Sequence, residues 1–247
     1  MYQLQASIRR AAVIGCVAAA AFLLGACGIG GPEIKRPDKN PSPSPTPTER
    51  EVSGVFNVTG AGSNGNDPYT GVLNITNQGE VYGLRWSLTK GTQVGAGVQI
   101  GEGVAATFSS PSGGKGCGVV LYKIAADGSM EGRTVQWGAD KFGTEKAIRT
   151  EGRTFAGKYD VTGITEDGQQ YKRTLTITKD GEGYDLEWAG DRPLVAFGTW
   201  KGSYAAASFG GRQCSFALYS ITGGGSLEGS WGGQKAVIFG TETAKRQ

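Results

Sequence analysis

From residue 53 onward the sequence is written twice. Gly54-Val-Phe56-Asn-Val58-Thr-Gly60 recurs as Gly157-Lys-Tyr159-Asp-Val161-Thr-Gly163. Leu73-Asn-Ile75 recurs as Leu175-Thr-Ile177, and Tyr82-Gly-Leu84-Arg-Trp86 as Tyr184-Asp-Leu186-Glu-Trp188. Cys117 with Leu121-Tyr122 matches Cys214 with Leu218-Tyr219, and Gly143-Thr-Glu145 matches Gly240-Thr-Glu242. An ordered series of this length requires one supersecondary unit made twice. Each copy runs to about 90–95 residues, enough for a small domain. The expected units are 53–150 and 151–247, with the boundary near 150–153.

Inside each copy the apolar residues alternate, which is the pattern of half-buried strands. Phe56 and Val58 share a face that excludes Asn57, and Tyr82, Leu84 and Trp86 share a face that excludes Arg85. Asp127-Gly128, Asp167-Gly168 and Asp180-Gly181 supply the positive φ of tight turns. The first copy divides into eight strands near 54–60, 69–76, 80–88, 93–100, 103–109, 117–125, 129–137 and 142–148. The fold expected is all-β: two tandem antiparallel up-and-down barrels of eight strands each, since closure removes sheet edges. A flattened barrel or sandwich is the structural alternative. The opening Gly-x-aromatic-x-Val-Thr-Gly is similar to the first strand of lipocalin- and avidin-like barrels, which implies a barrel that can cup a small apolar ligand.

One strand breaks the alternation. Val119 and Leu121 lie opposite Val120, Tyr122 and Ile124, and Phe216 and Leu218 lie opposite Ala217, Tyr219 and Ile221. A strand apolar on both faces is covered on both, and a barrel interior covers only one. These two strands are therefore expected between the copies. Cys117 and Cys214 begin them. In an oxidising compartment they would form a disulfide if an approximate two-fold axis brought them together, or remain two separately buried thiols.

The chain has no histidine, which removes Ser-His-Asp and Cys-His chemistry. Neither a phosphate-cradling loop nor a zinc-type cysteine pair is present. The expectation is a protein without catalytic residues, cofactor or metal. Glu131/Glu228 and Glu145/Glu242 recur by duplication and read as structural positions rather than as a catalytic dyad. Tyr82, Trp86, Tyr184 and Trp188 carry two readings. They fill a closed barrel, or they wall a ligand cup.

The first 52 residues give an address. Arg9 and Arg10 precede an apolar run, Ala11 to Ala26, of 16 residues, against the about 20 that span a bilayer. Small residues then precede Cys27, the pattern of an export signal over 1–26. Leu24-Gly25-Ala26-Cys27 resembles the lipobox of bacterial lipoproteins. That resemblance implies cleavage before Cys27, diacylglycerol on its thiol and acylation of the new amino group. More than one acyl chain anchors a protein stably, so the membrane is the expected partner, through Cys27. Gly28 in place of an aspartate implies the outer membrane in a Gram-negative organism. Residues 27–52 hold six of the nine prolines and read as an extended, disordered spacer. Removing the signal takes Lys+Arg from 25 to 23 against 22 Asp+Glu, a near-neutral balance that gives no case for nucleic acid. The expectation is thus an exported, lipid-anchored envelope protein displaying a duplicated β-barrel. Its partner would be an unknown protein or a small apolar ligand.

Overall fold

A computed structural model describes residues 49–247 except 63, 64, 191, 192, 235 and 237. The signal segment, Cys27 and the tether up to residue 48 lie outside the described residues. Sixteen strands follow one another in the described chain: β1 (Gly54–Ala61), β2 (Tyr69–Gln78), β3 (Val81–Leu88), β4 (Gly91–Ile100), β5 (Gly103–Ser109), β6 (Gly118–Ile124), β7 (Met130–Gln136), β8 (Gly143–Glu151), β9 (Gly157–Ile164), β10 (Gln170–Asp180), β11 (Gly183–Ala189), β12 (Leu194–Lys201), β13 (Tyr204–Phe209), β14 (Ser215–Ile221), β15 (Leu227–Gly232) and β16 (Gly240–Arg246). Each pairs antiparallel with two neighbours, and the strands close into two barrels of eight. The alternation predicts the burial: Phe56 and Val58 face inward from β1 while Asn57 is exposed. Gly128 and Gly168 take φ values of +81° and +86° in the turns their Asp-Gly pairs announce.

The barrels do not coincide with the repeats. The first barrel consists of β1 to β5 and β14 to β16, and the second of β6 to β13. The second barrel is a continuous meander, residues 118–209, closed by β13 pairing with β6. It is inserted between the fifth and sixth strands of the first, where β5 pairs with β14. The expected units 53–150 and 151–247 are therefore corrected. The repeat boundary falls inside the second barrel, in the connection between β8 and β9, which pair from Thr144↔Ile164 to Glu151↔Lys158. The physical reason is that equivalent strands present the same edge and the same apolar faces. β5 is satisfied by either copy's sixth strand, and the connection at 110–117 carries the chain across to the other barrel.

The two-faced strands lie where their sequence requires. Val120 and Tyr122 of β6 enter the core of the second barrel, and Ala217 and Tyr219 of β14 enter that of the first. Val119, Leu121 and Leu218 turn outward into a third core, with Val98, Ala105 and Ala206, that joins the barrels. In that contact Thr107 and Ser208, equivalent residues of the two copies, share a buried hydrogen bond of 2.8 Å. Cys117 and Cys214 form a disulfide, with Cα atoms 5.4 Å apart. It joins the two segments by which the chain leaves one barrel and enters the other.

One end of each barrel is closed by the residue two positions before its entering strand. Val52 does this in the first and Phe155 in the second, each 2% exposed. Arg246 covers the closed end of the first, with its guanidinium 4.8 Å over the Phe56 ring and bonded to the carbonyls of Ser53 and Glu51. Leu73, Ile75 and Leu84 fill the middle of the first barrel, and Leu175, Ile177 and Leu186 that of the second. What remains unfilled is the opposite end, the mouth.

Candidate functional site

At each mouth the sheet builds the same row. In the second barrel Tyr122, Gly132, Glu145, Gly163 and Tyr171 are successive cross-strand partners on β6, β7, β8, β9 and β10. In the first barrel the row is Tyr219, Gly229, Glu242, Gly60 and Tyr69. The glycines are spacers. A Cβ on Gly163 would lie 2.3 Å from the Tyr171 ring, and one on Gly60 2.2 Å from that of Tyr69. Each tyrosine therefore lies down over a glycine, and its hydroxyl reaches the central carboxylate.

The contacts match between barrels. In the first, Tyr219 OH and Trp86 Nε1 donate to Glu242 Oε1 at 2.6 and 3.0 Å, and Tyr69 OH donates to Oε2 at 2.8 Å. In the second, Trp188 Nε1 and Tyr122 OH donate to Glu145 Oε1, the former at 3.0 Å, and Tyr171 OH donates to Oε2 at 2.8 Å. All three partners are donors, so each glutamate acts as acceptor, and a carboxylate with about four acceptor positions keeps one on Oε2. Burial pushes the Glu242 carboxyl above its usual range, against the three hydrogen bonds that lower it. Burial first, and then the Glu242 charge, drives the Tyr69 and Tyr219 hydroxyls well above the ordinary phenol range. Those hydroxyls therefore stay protonated and remain donors.

The two mouths differ in what surrounds this shared centre. The first barrel holds a cavity of about 240 Å³ over Glu242. Its walls form a chain of rings. Tyr69 meets Trp231 edge-on at 6.2 Å, Trp231 meets Phe108 at 6.2 Å, and Phe108 meets Trp86 at 5.4 Å. Glu242 closes the circuit by bonding both Trp86 and Tyr69. Trp231 Nε1 is buried beside the Tyr69 hydroxyl and makes no hydrogen bond of good geometry among the described residues. At the edge of the cavity Lys90 pairs with Asp67 at 3.1 Å, both largely exposed. The cavity of the second barrel is about 530 Å³ and more polar, with Glu166, Asp167 and Arg173 on its walls.

Of the four aromatics that carry the two readings, Trp86 and Trp188 line the cups, whereas Tyr82 and Tyr184 pack against the cores as the filling reading has it. They share the inward face of β3 and β11 with those tryptophans, but four residues along a strand at about 3.3 Å each put them near the other end. Leu84 and Leu186 fill the space between. Tyr82 donates to Gln99 at 3.2 Å, and Tyr184 packs edge-on against the plug residue Phe155 at 4.9 Å. Glu131 and Glu228 are exposed on the outer face. Glu145 and Glu242 sit in separate barrels, each with its own three donors, so they form no dyad. Tyr69 and Tyr171 were not singled out from sequence. Their signal was available, since the same spacing separates Leu73 from Leu175. Among the described residues no group of three or more His, Cys, Asp or Glu is placed to hold a metal ion.

In comparisons with protein-family models, with curated proteins and with solved structures, nothing matches this chain.

Proposed function

We propose that this chain is an exported envelope lipoprotein, anchored through acylated Cys27 and held off the membrane by its proline-rich segment. It displays the two-barrel body as a non-enzymatic binding module, and the ligand is a small molecule taken at the mouth of the first barrel. In an organism with an outer membrane, that membrane is its place. The observation that carries the ligand reading is the cavity over Glu242. It is concave, walled by aromatic rings, and supplied with a buried carboxylate and an indole N–H that makes no hydrogen bond of good geometry among the described residues. Convergent polar groups in an otherwise apolar hollow are what small-molecule sites have in common. A barrel that only needed to be filled would carry neither. The ligand expected is correspondingly less apolar than the lipocalin resemblance alone implied.

Two experiments test this. Metabolic labelling with a radioactive fatty acid should mark the wild-type protein and leave Cys27→Ser unmarked, and equal labelling of the two, or none in the wild type, would refute the anchor. A fragment screen on the ¹⁵N-labelled full-length protein in a non-ionic detergent should shift the indole N–H resonances of Trp86 and Trp231. A screen in which compounds shift neither, or shift only surface residues, would refute the site.

A further inference from the structure

The two mouths are copies of one design, so their differences show what each has lost or gained. On the inward face of β10 in the second barrel stands Arg173, its guanidinium 5.0 Å over the ring of Tyr171, a direct partner of Glu145. It packs beside Gly190. The equivalent residues of the first barrel are Gly71 and Leu88, which follow from the matches of Leu73 with Leu175 and Trp86 with Trp188. The exchange is coordinated. Where the second barrel has a long cation beside a glycine, the first has a glycine beside a leucine. A third change accompanies it. Thr134 of the second barrel corresponds to Trp231 of the first, two residues beyond the matched Gly132 and Gly229. In the second barrel an inward-facing cation thus covers the ring of a tyrosine that bonds the carboxylate. In the first that cation is missing and an aromatic wall has been added. Lys90, the cation among the described residues lining this cavity, already pairs with Asp67.

We infer that the mouth of the first barrel binds a small alkylammonium ion, which takes the place that Arg173 holds in the second. This rests on the reading of the cavity as a ligand site and adds the ligand's chemical class. A cation is attracted both to a carboxylate and to the faces of tryptophan, tyrosine and phenylalanine, the more so when water is excluded. Tyr69, Trp86, Phe108 and Trp231 surround such an ion, and Glu242 supplies the charge beneath it. The cavity of about 240 Å³ admits a group the size of trimethylammonium with a short tail. Trp231 Nε1, poorly aligned with the Tyr69 hydroxyl beside it, can donate to an acceptor on that tail.

The probes are choline and its neutral isostere 3,3-dimethylbutan-1-ol, which share shape and hydroxyl and differ in charge. Each is titrated at neutral pH and constant ionic strength into the ¹⁵N-labelled full-length protein in a non-ionic detergent, reading the Trp86 and Trp231 indole resonances. Choline should bind saturably and the isostere about tenfold more weakly. Glu242→Gln, which keeps the shape of the side chain, should weaken choline about tenfold and leave the isostere unchanged. Trp231→Thr, which installs the second barrel's residue away from the buried carboxylate, should weaken choline as well and keeps the test available if the glutamine variant fails to fold. Equal binding of the two probes would overturn the cation and leave the ligand site standing. Unchanged choline affinity in both variants, or no saturable choline binding up to roughly 50 mM, would overturn the inference.

Discussion

Removal of the Cys117–Cys214 disulfide should weaken the first barrel through the second. In the first barrel β5 pairs with β14, yet the chain between them contains the whole of the second. While the second barrel is folded, the pairing of β13 with β6 keeps the ends of that insertion together, and the disulfide adds little. Once the second barrel opens, the disulfide decides how far apart β5 and β14 are along the chain. With the bond intact the path runs through residues 110–117 and 214, and without it through 110–214. Loop-closure cost grows as (3/2)RT ln n, so going from roughly 9 to roughly 105 residues costs the first barrel about 2 kcal/mol. For complete unfolding the bond closes a loop spanning a sequence separation of 97 residues, for which the chain-entropy estimate is about 4.7 kcal/mol. The assay compares the oxidised wild type with Cys117→Ala/Cys214→Ala, and the reduced wild type, which keeps both sulfurs without the bond, controls for lost packing. Urea unfolding gives the total, and hydrogen exchange of β14 to β16 against β7 to β12 gives the coupling. In the oxidised protein β14 to β16 should outlast β7 to β12. In the double variant the two sets should open together. Loss of less than about 1 kcal/mol in total, or unchanged relative protection, would refute the account.

Three further outcomes follow from the buried rows. Gly163→Ala would put a methyl group 2.3 Å from the Tyr171 ring; the ring must move off Glu145, and urea unfolding should show a loss of about 1–3 kcal/mol, whereas a gain would refute the spacer role. Phe155→Ala opens the closed end of the second barrel and should cost about 3–5 kcal/mol, with β7 to β12 losing hydrogen-exchange protection ahead of β1 to β5. The Glu242 carboxyl is held above its unfolded value of 4.5 by burial, so the folded state takes up its proton first as pH falls. Wild type should gain stability relative to Glu242→Gln as pH drops from neutral through the raised folded value, and the gain should be complete below the unfolded value. A difference in melting temperature between the two proteins that is flat or reversed over that range would refute the burial argument.

Strand identity was legible because β1, β3 and β11 alternate cleanly and the Asp-Gly turns need positive φ. The contact between barrels was legible because β6 and β14 are apolar on both faces. Strand partnership was not. Gly118 and Ser215 begin equivalent strands, and nothing local tells β5 which of them to join. The connection at 110–117 gave no hint either, being one residue longer than those at 62–68 and 233–239. The site was half legible. Glu145/Glu242 and Tyr122/Tyr219 recur visibly, but their meeting depends on a row running across five strands. Two of its members are glycines, whose part is to be absent beneath a ring. Tyr82 and Trp86 share a face, and a face alone does not say which end of a barrel a residue occupies.

The insertion also fixes an order of events. A chain synthesised from its N-terminus delivers β1 to β5 first, and these five strands are left without the partners that close their barrel. Their outer edges, β1 and β5, stay unpaired until β14 to β16 arrive behind the intervening barrel. Meanwhile residues 118–209 can complete their own meander. The second barrel is then the scaffold on which the first is finished, and the last residues to emerge close the row that holds Glu242. Truncation near the C-terminus would thus spare the inserted barrel and abolish the one with the aromatic mouth.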